Sequence, residues 1–392
     1  MNSRDRILAA LEHKEPDNVP YDLAGTHVSG IHINAYCKLC EYLGITPEPI
    51  VFTDIIQQIV LPKQEILDKF QVDTRGLFPL CSHNWNVVAR DAGDHFEYKD
   101  EWGIVHQCPK NNAFWWSIIK SPLDSTTISA TEIHNHPWPV PDDILRIKGL
   151  RQLAEQYRRD GKLVMIKSIC AGMFEMSQRL RGMENALCDF LLSPDVVANL
   201  FDNLLDIKLR FWEMALNELG DIVDVVVETD DYGTQESQLI SHETFKQIIK
   251  PRVSKLVAFV KRKLNSAKNN GEKGYFFLHS CGNVRPLIPD FIDMGIDIIN
   301  PVHIRATGMD PVALKRDFGK DIVFWGGGVD TQSILPYGTP AEVADNVKQN
   351  THALMADGGF VFTTIHNIQA EVPPQNIVAM LEAVQKYGKY SA

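Results

Sequence analysis

Apolar positions along this chain change period repeatedly, and that alternation is its first structural signal. Short apolar runs fall at residues 163–169, 224–229 and 275–279. They are nearly continuous, as expected of parallel strands buried on both faces. Comparable runs at 19–23, 50–55, 297–301, 321–325 and 359–364 bring the predicted strands to eight. Amphipathic stretches lie between them. Ser193-Pro194-Asp195 supplies an N-cap, a first-turn proline and a first-turn acid. Val197, Leu200, Leu204, Ile207, Phe211 and Met214 then recur at helical spacing until Gly220. Met176, Leu180, Met183, Leu187 and Phe190 form a second such stripe, and a last helix is predicted over 374–387. Strands alternating with helices predict an α/β fold, a (β/α)8 TIM barrel. A doubly wound open sheet is the competing architecture, but no Gly-x-Gly-x-x-Gly leads from a strand into a helix.

Residues 72 to about 145 break this rhythm. The segment is rich in Trp, His and Asp, with period-two fragments Phe96-Glu97-Tyr98 and Gly103-Ile104-Val105-His106. It reads as an antiparallel insertion after the second strand, crossing one mouth of a single barrel domain spanning residues 1–392. Trp85, Trp102 and Phe114-Trp115-Trp116 either wall a pocket for an aromatic ligand, with Trp115 and Trp116 as substrate contacts, or pack the insertion onto the barrel.

Composition narrows the classes. With 39 basic and 50 acidic residues among 392, the net charge is −11, which argues against nucleic acid as a partner. Hydrophobic residues at 44% and charged residues at 23% match a globular protein. No apolar run approaches the roughly 20 residues that span a bilayer, and the N-terminus lacks a signal-peptide core. Seven irregularly spaced cysteines point to a reducing compartment, so the expectation is cytoplasmic, without membrane association.

Barrel chemistry collects at the C-terminal ends of strands. Those ends carry His27, Asp54, Glu228-Thr229-Asp230-Asp231-Tyr232, His279-Ser280-Cys281, Asn300 with His303, Gly326-Gly327-Gly328 with Asp330, and His366. His279-x-Cys281 places imidazole and thiol on one strand face, a donor pair suited to zinc, with His366 a candidate third ligand. The alternative is a histidine bonded to a backbone carbonyl and a cysteine packed as a small apolar residue. Asp230 and Asp231 are adjacent, so alternation sends only one of them into the site. Asp54 is a candidate general acid or else a helix N-cap. His27, Tyr232, Asn300 and His303 are candidate substrate contacts. The three glycines and Asp330 are the candidate cofactor loop, though without a phosphate-binding spacing. Cys37-x-x-Cys40 lies in a helical stretch and reads as helix packing.

Over nearly its whole length the sequence resembles the uroporphyrinogen decarboxylase superfamily. The matching stretches are Phe52-Thr53-Asp54-Ile55-Ile56, Glu228 through Gln235, His279-Ser280-Cys281-Gly282, Phe324 through Asp330, His366-Asn367-Ile368-Gln369 and Val372 through Ile377. The resemblance implies a (β/α)8 barrel. It leaves two branches, decarboxylases and zinc-dependent methyltransferases that work with corrinoid proteins. Asp54 and His366 match the decarboxylase branch. The arginine-bearing loop with which that branch holds a substrate of eight carboxylates is replaced here by Asp22-Leu23-Ala24-Gly25-Thr26-His27-Val28-Ser29. His279 and Cys281 match two zinc ligands of the methyltransferase branch, whose third ligand, a cysteine, is replaced by His366. Glu228 or Asp230 would complete or replace part of that set. Losing a thiolate weakens the case for a thiol substrate and points to an oxygen-bearing one.

The expectation is therefore an enzyme that moves a methyl group from an O-methyl substrate, of the phenyl methyl ether type, to Co(I) of a corrinoid. Zinc would activate the ether oxygen, and Asp230 or Asp54 would return a proton to the phenolate. The corrinoid (cobalamin) is expected on a separate carrier protein docking transiently at the barrel mouth. No Asp-x-His-x-x-Gly loop occurs, and the chain closes with one helix after the eighth strand. A homodimer is left open. The alternatives are a decarboxylase of a smaller acid and a non-catalytic tetrapyrrole or corrinoid carrier.

Overall fold

The computed structural model describes residues 1–390 apart from 84, 112, 113 and 270. Seven parallel strands form one curled sheet in the order Phe360–Val361, Val323–Trp325, Ile298–Asn300, Tyr275–His279, Val225–Thr229, Leu163–Lys167, Thr74–Leu77. The remaining gap is closed by the segment around Tyr21. It bridges Phe362 in parallel, receives the Phe362 N–H at the Pro20 carbonyl (2.9 Å), and accepts the Asp73 N–H at the Tyr21 carbonyl (3.2 Å). Pro20 has no N–H to give, so this first staves only partly as a strand. The buried Asp22 carboxylate ties the closure, accepting from Thr74 Oγ1 (2.6 Å) and Trp325 Nε1 (3.0 Å). The barrel expectation holds.

Its second strand is not where the hydrophobic pattern put it. Phe52–Asp54 belongs to a small antiparallel sheet with Ile59–Val60 and Ile31–His32, while Thr74–Leu77 supplies the barrel strand. Thr74–Leu77 thus lies in the barrel rather than in the insertion. The antiparallel insertion begins beyond it, with Arg90–Asp91, His95–Lys99, Val105–Pro109 and Ser117–Lys120 in sequential order.

Strand alternation sorts the barrel into two layers. Leu163, Met165, Val225, Val227, Tyr275, Phe277, Ile298, Val323, Trp325 and Val361 fill the interior, and Ile7, Ala10 and Leu11 of helix Ser3–Leu11 join them. That helix meets the strand starts, where Arg4 N–H reaches Gly161 O and Gly359 N–H reaches Ala10 O, so it plugs the N-terminal end. The outward residues Val164, Ile166, Val226, Phe276, Leu278, Ile299 and Phe324 pack under the helix ring. Helix Pro194–Leu219 buries Val197, Leu200, Leu204, Ile207 and Phe211 there. The second stripe is broken at Gly182 (φ 76°) into Met173–Arg181 and Met183–Leu192, which leaves Met183 exposed. Cys37 and Cys40 are free thiols on helix Ile33–Leu43. Among the described residues no helix is long and apolar enough to cross a membrane.

Candidate metal centre and substrate cavity

Period two carries the inward face of each strand up to the open C-terminal mouth. After Phe277 the next inward residue is His279, and Cys281 follows two residues on. The Cys281 Sγ lies 3.5 Å from His279 Nε2, and the donor atoms of His279, Cys281 and His366 all fall within 4.8 Å of one another. For zinc, with Zn–N near 2.0–2.1 Å and Zn–S near 2.3 Å, a tetrahedral N-to-S edge is about 3.6 Å. The His279–Cys281 pair matches that edge, and His366 lies within reach of the same centre.

The tautomer needed for ligation is also set. His279 Nδ1 lies 2.5 Å from Asn300 Oδ1, and Asn300 Nδ2 donates to the Trp325 carbonyl at 2.7 Å. A carbonyl can only accept, so the amide nitrogen must face Trp325 and the amide oxygen must face His279. Nδ1 then carries the proton, and the Nε2 lone pair points to the trio. Burial, with His279 next, lowers the His366 imidazole to about 4, which keeps it in its neutral, ligating form. Burial raises the Cys281 thiol well above its ordinary value, and Asp231 and Glu175 raise it further. No cation beside it among the described residues would ionise it, so a bound metal is what would make it a thiolate.

The trio borders a cavity of about 390 Å³, lined by His279, His366, His27, Asp54, Asp231, Trp85, Trp102, Trp115, Lys167 and Arg179 among others. Asp231 Oδ1 accepts the Cys281 N–H at 2.7 Å and stands 3.8 Å from His279 Nε2. Asp54 accepts the Gln57 N–H at 2.9 Å, capping a turn at the cavity edge rather than a helix. His27 is sunk in the wall, where burial keeps its imidazole neutral.

Several predicted site residues lie elsewhere. Glu228 is an outward residue whose carboxylate takes Lys208 Nζ and Trp212 Nε1, each at 2.6 Å, between strand and helix; it is not a ligand. Asp230 turns away from the cavity to accept the amides of Phe174 (3.1 Å) and Glu175 (2.8 Å) and the Tyr232 hydroxyl (2.8 Å). Burial pushes its carboxyl up to about 7 against those donors. Gly172 lets the two segments approach, since a Cβ there would lie 2.0 Å from Asp230 Cγ. Tyr232 is buried against Phe174 and Phe245 and cannot touch a ligand. Asn300 is buried beneath His279, and His303 accepts the Gly282 N–H at 3.0 Å, so both support the metal loop instead of meeting substrate.

The glycine cluster is also a correction. Gly326 (φ 99°) and Gly327 (φ 82°) need the left-handed region, and a Cβ on Gly328 would lie 2.1 Å from the Phe362 ring. These glycines pack the barrel wall. Asp330 is buried, accepting the Gln332 and Ser333 amides. The tryptophans divide. Trp115 lines the cavity, whereas Trp116 packs edge-on to Tyr98 inside the insertion. Lys167 and Arg179 face the cavity without having been singled out. Lys167 was legible, because it continues the inward series Leu163 and Met165; Arg179 comes from helix Met173–Arg181 and had no such signal.

The sequence profile of the uroporphyrinogen decarboxylase (URO-D) family matches residues 124–387. The chain belongs to that family. Among solved structures, a methyltransferase from Methanosarcina mazei is 17% identical, with 99% of each chain covered and a TM-score of 0.65, which shows a shared fold. A β-glucosidase from Pyrococcus furiosus (10% identical, 94% of this chain and 93% of that one, TM-score 0.40) and a family 5 glycoside hydrolase from Prevotella bryantii (11%, 60% and 75%, 0.33) are far more distant and bear on nothing further. No curated protein sequence matches the chain.

Proposed function

We propose that this member of the family is a methyltransferase that moves a methyl group from an O-methyl substrate, of the phenyl methyl ether type, to Co(I) of a corrinoid carried by a separate protein. The observation that carries the reading is the His279, Cys281 and His366 donor set, with its 3.5 Å N-to-S separation and a tautomer fixed by Asn300. These three residues would hold zinc. When bound there, zinc supplies a Lewis acid for the departing ether oxygen. The methyl-to-oxygen bond breaks as the cobalt-to-carbon bond forms, and the phenolate left behind takes up a proton. Asp231 and Asp54 face the cavity and are placed to relay that proton from water; Asp230 is withdrawn from this role by its packing. Trp85, Trp102 and Trp115 offer flat apolar surface to a one-ring substrate and displace water from it. The fold shared with the Methanosarcina methyltransferase supports the same branch.

A decarboxylase of a smaller acid remains the second reading, because Asp54 and His366 border the same cavity. Metal analysis separates the two. Stoichiometric zinc that is lost in Cys281→Ser, together with phenol and methylcobalamin formed from a methoxyarene and reduced cobalamin under anaerobic conditions, supports the methyltransferase. Metal-free protein that releases carbon dioxide supports the decarboxylase. Protein purified without cobalt, yet faster with a cognate carrier than with free cobalamin, would support the two-protein arrangement.

A further inference from the structure

Charges facing the cavity can be accounted for one at a time. Asp100 is held by His106 (2.9 Å) and by the amides of Trp102 and Ile104, and Glu101 is held by Arg146. Glu175 pairs with Arg179 at 2.5 Å, Asp231 takes the Cys281 amide, and Asp54 takes the Gln57 amide. Lys167 is different. Among the described residues its ammonium makes no hydrogen bond and no ion pair, although it lines the cavity at the inward C-terminal end of strand Leu163–Lys167. A half-buried ammonium with no direct partner is costly, and a ligand anion is the group that would offset it.

The place of Lys167 relative to the metal trio follows from the sheet. Lys167 is in register with Val227, and His279 is in register with Thr229 of that same strand. Lys167 and His279 therefore stand two strands apart and two residues out of register, roughly 12 Å at about 4.8 Å per strand spacing and about 3.3 Å per residue. One aromatic ring bearing a group at each end spans such a gap, and the tryptophan walls suit that ring. Burial lowers the Lys167 amine from its ordinary value, and an arriving anion would reverse that shift.

We infer that Lys167 is the anion-holding residue of this cavity, and that the substrate carries a carboxylate, or a group of equal charge, on the side of its ring remote from the methoxy group. This deepens the methyl-donor reading and rests on it for the methoxy end. The chemistry it adds is a charge requirement, with a charge-assisted hydrogen bond in a cavity where water competes poorly.

Binding measured without turnover tests it. Calorimetric titration of the metal-loaded protein, with no corrinoid present, would compare 4-methoxybenzoate with its neutral isostere 4-methoxybenzamide. The acid is expected to bind at least tenfold more tightly than the amide. Lys167→Met should abolish that preference, and Lys167→Arg should retain most of it, which separates charge from any change in folding. Equal affinity for acid and amide, no measurable binding of the acid, or a preference that survives in Lys167→Met overturns the inference. The last outcome would mean that Lys167 only balances Asp54 across the cavity. The charge preference with no methyl transfer to cobalamin would sink the proposed reaction and leave the anion site standing. Methyl transfer from both compounds at equal rate would do the opposite.

Discussion

Asn300→Ala removes one small side chain that touches neither substrate nor metal, and its effect can be worked out from two distances. Asn300 Oδ1 accepts from His279 Nδ1 at 2.5 Å, and Nδ2 donates to the Trp325 carbonyl at 2.7 Å. The side chain is 1% exposed, so water cannot readily replace either bond. The alanine variant leaves a buried imidazole N–H and a buried carbonyl unpaired, at about 1–3 kcal/mol each. More important for function, His279 loses the acceptor that keeps the proton on Nδ1. Removing an outer partner of a ligating histidine typically weakens metal binding about 10- to 100-fold, which is roughly 1.4–2.7 kcal/mol at 1.36 kcal/mol per decade. Competition against a chromophoric zinc chelator, under anaerobic conditions at pH 7, reads the affinity directly. Asn300→Asp serves as the control. It keeps an acceptor for Nδ1 and loses the donor to Trp325, so it should bind zinc nearly as well as the parent while unfolding more easily. If Asn300→Ala, folded by circular dichroism, holds zinc within threefold of the parent, Asn300 does not set the tautomer and the ligand role of His279 Nε2 loses its main support. A parent protein with no zinc affinity would refute the donor-set reading itself.

Two further outcomes follow from the same geometry. Glu228→Ala should leave zinc affinity unchanged and cost about 3–5 kcal/mol of stability in urea unfolding, because it strands the 1% exposed Lys208 ammonium; loss of zinc without loss of stability would restore Glu228 as a ligand. In the metal-free protein, His366 titrates near 4 when folded and near 6.5 when unfolded, so acid drives protons onto the unfolded chain. Its contribution is present above pH 6.5 and lost as pH falls towards 4. His366→Gln should therefore flatten the pH dependence of the unfolding midpoint over that window, and an unchanged slope would place the titration elsewhere.

Local chemistry made much of this protein legible from its residues. The i, i+2 spacing of His279 and Cys281 is a property of a single strand, so one strand end was enough to pair them. Helix Pro194–Leu219 carries its own start and stop, and its apolar stripe faces the barrel as the 3.6-residue period requires. Alternation likewise separates Asp230 from Asp231, and the structure turns Asp231 to the cavity and Asp230 to the helix start at Phe174 and Glu175.

Partnership between distant segments was decided only in three dimensions. The apolar run at 50–55 is a stronger β-former than Thr74-Arg75-Gly76-Leu77, and nothing in a two-residue period says which sheet a strand will join. The parallel neighbour Leu163–Lys167 settles it for Thr74–Leu77. Glu228 alternates outward beside two inward residues, yet its carboxylate is recognisable as structural only once helix Pro194–Leu219 delivers Lys208 and Trp212 to it. The glycines at 326–328 resemble a ligand loop because the sequence shows their freedom without showing Val302 and Phe362, the neighbours that demand it. Sequence determined the period and chemistry of each element here, since those depend on residues a few positions apart. Tertiary structure decided which polar groups were already paired, because burial and pairing depend on contacts between segments 16 to 56 residues apart in these cases, and only the groups left unpaired or gathered at the barrel mouth remain available for function.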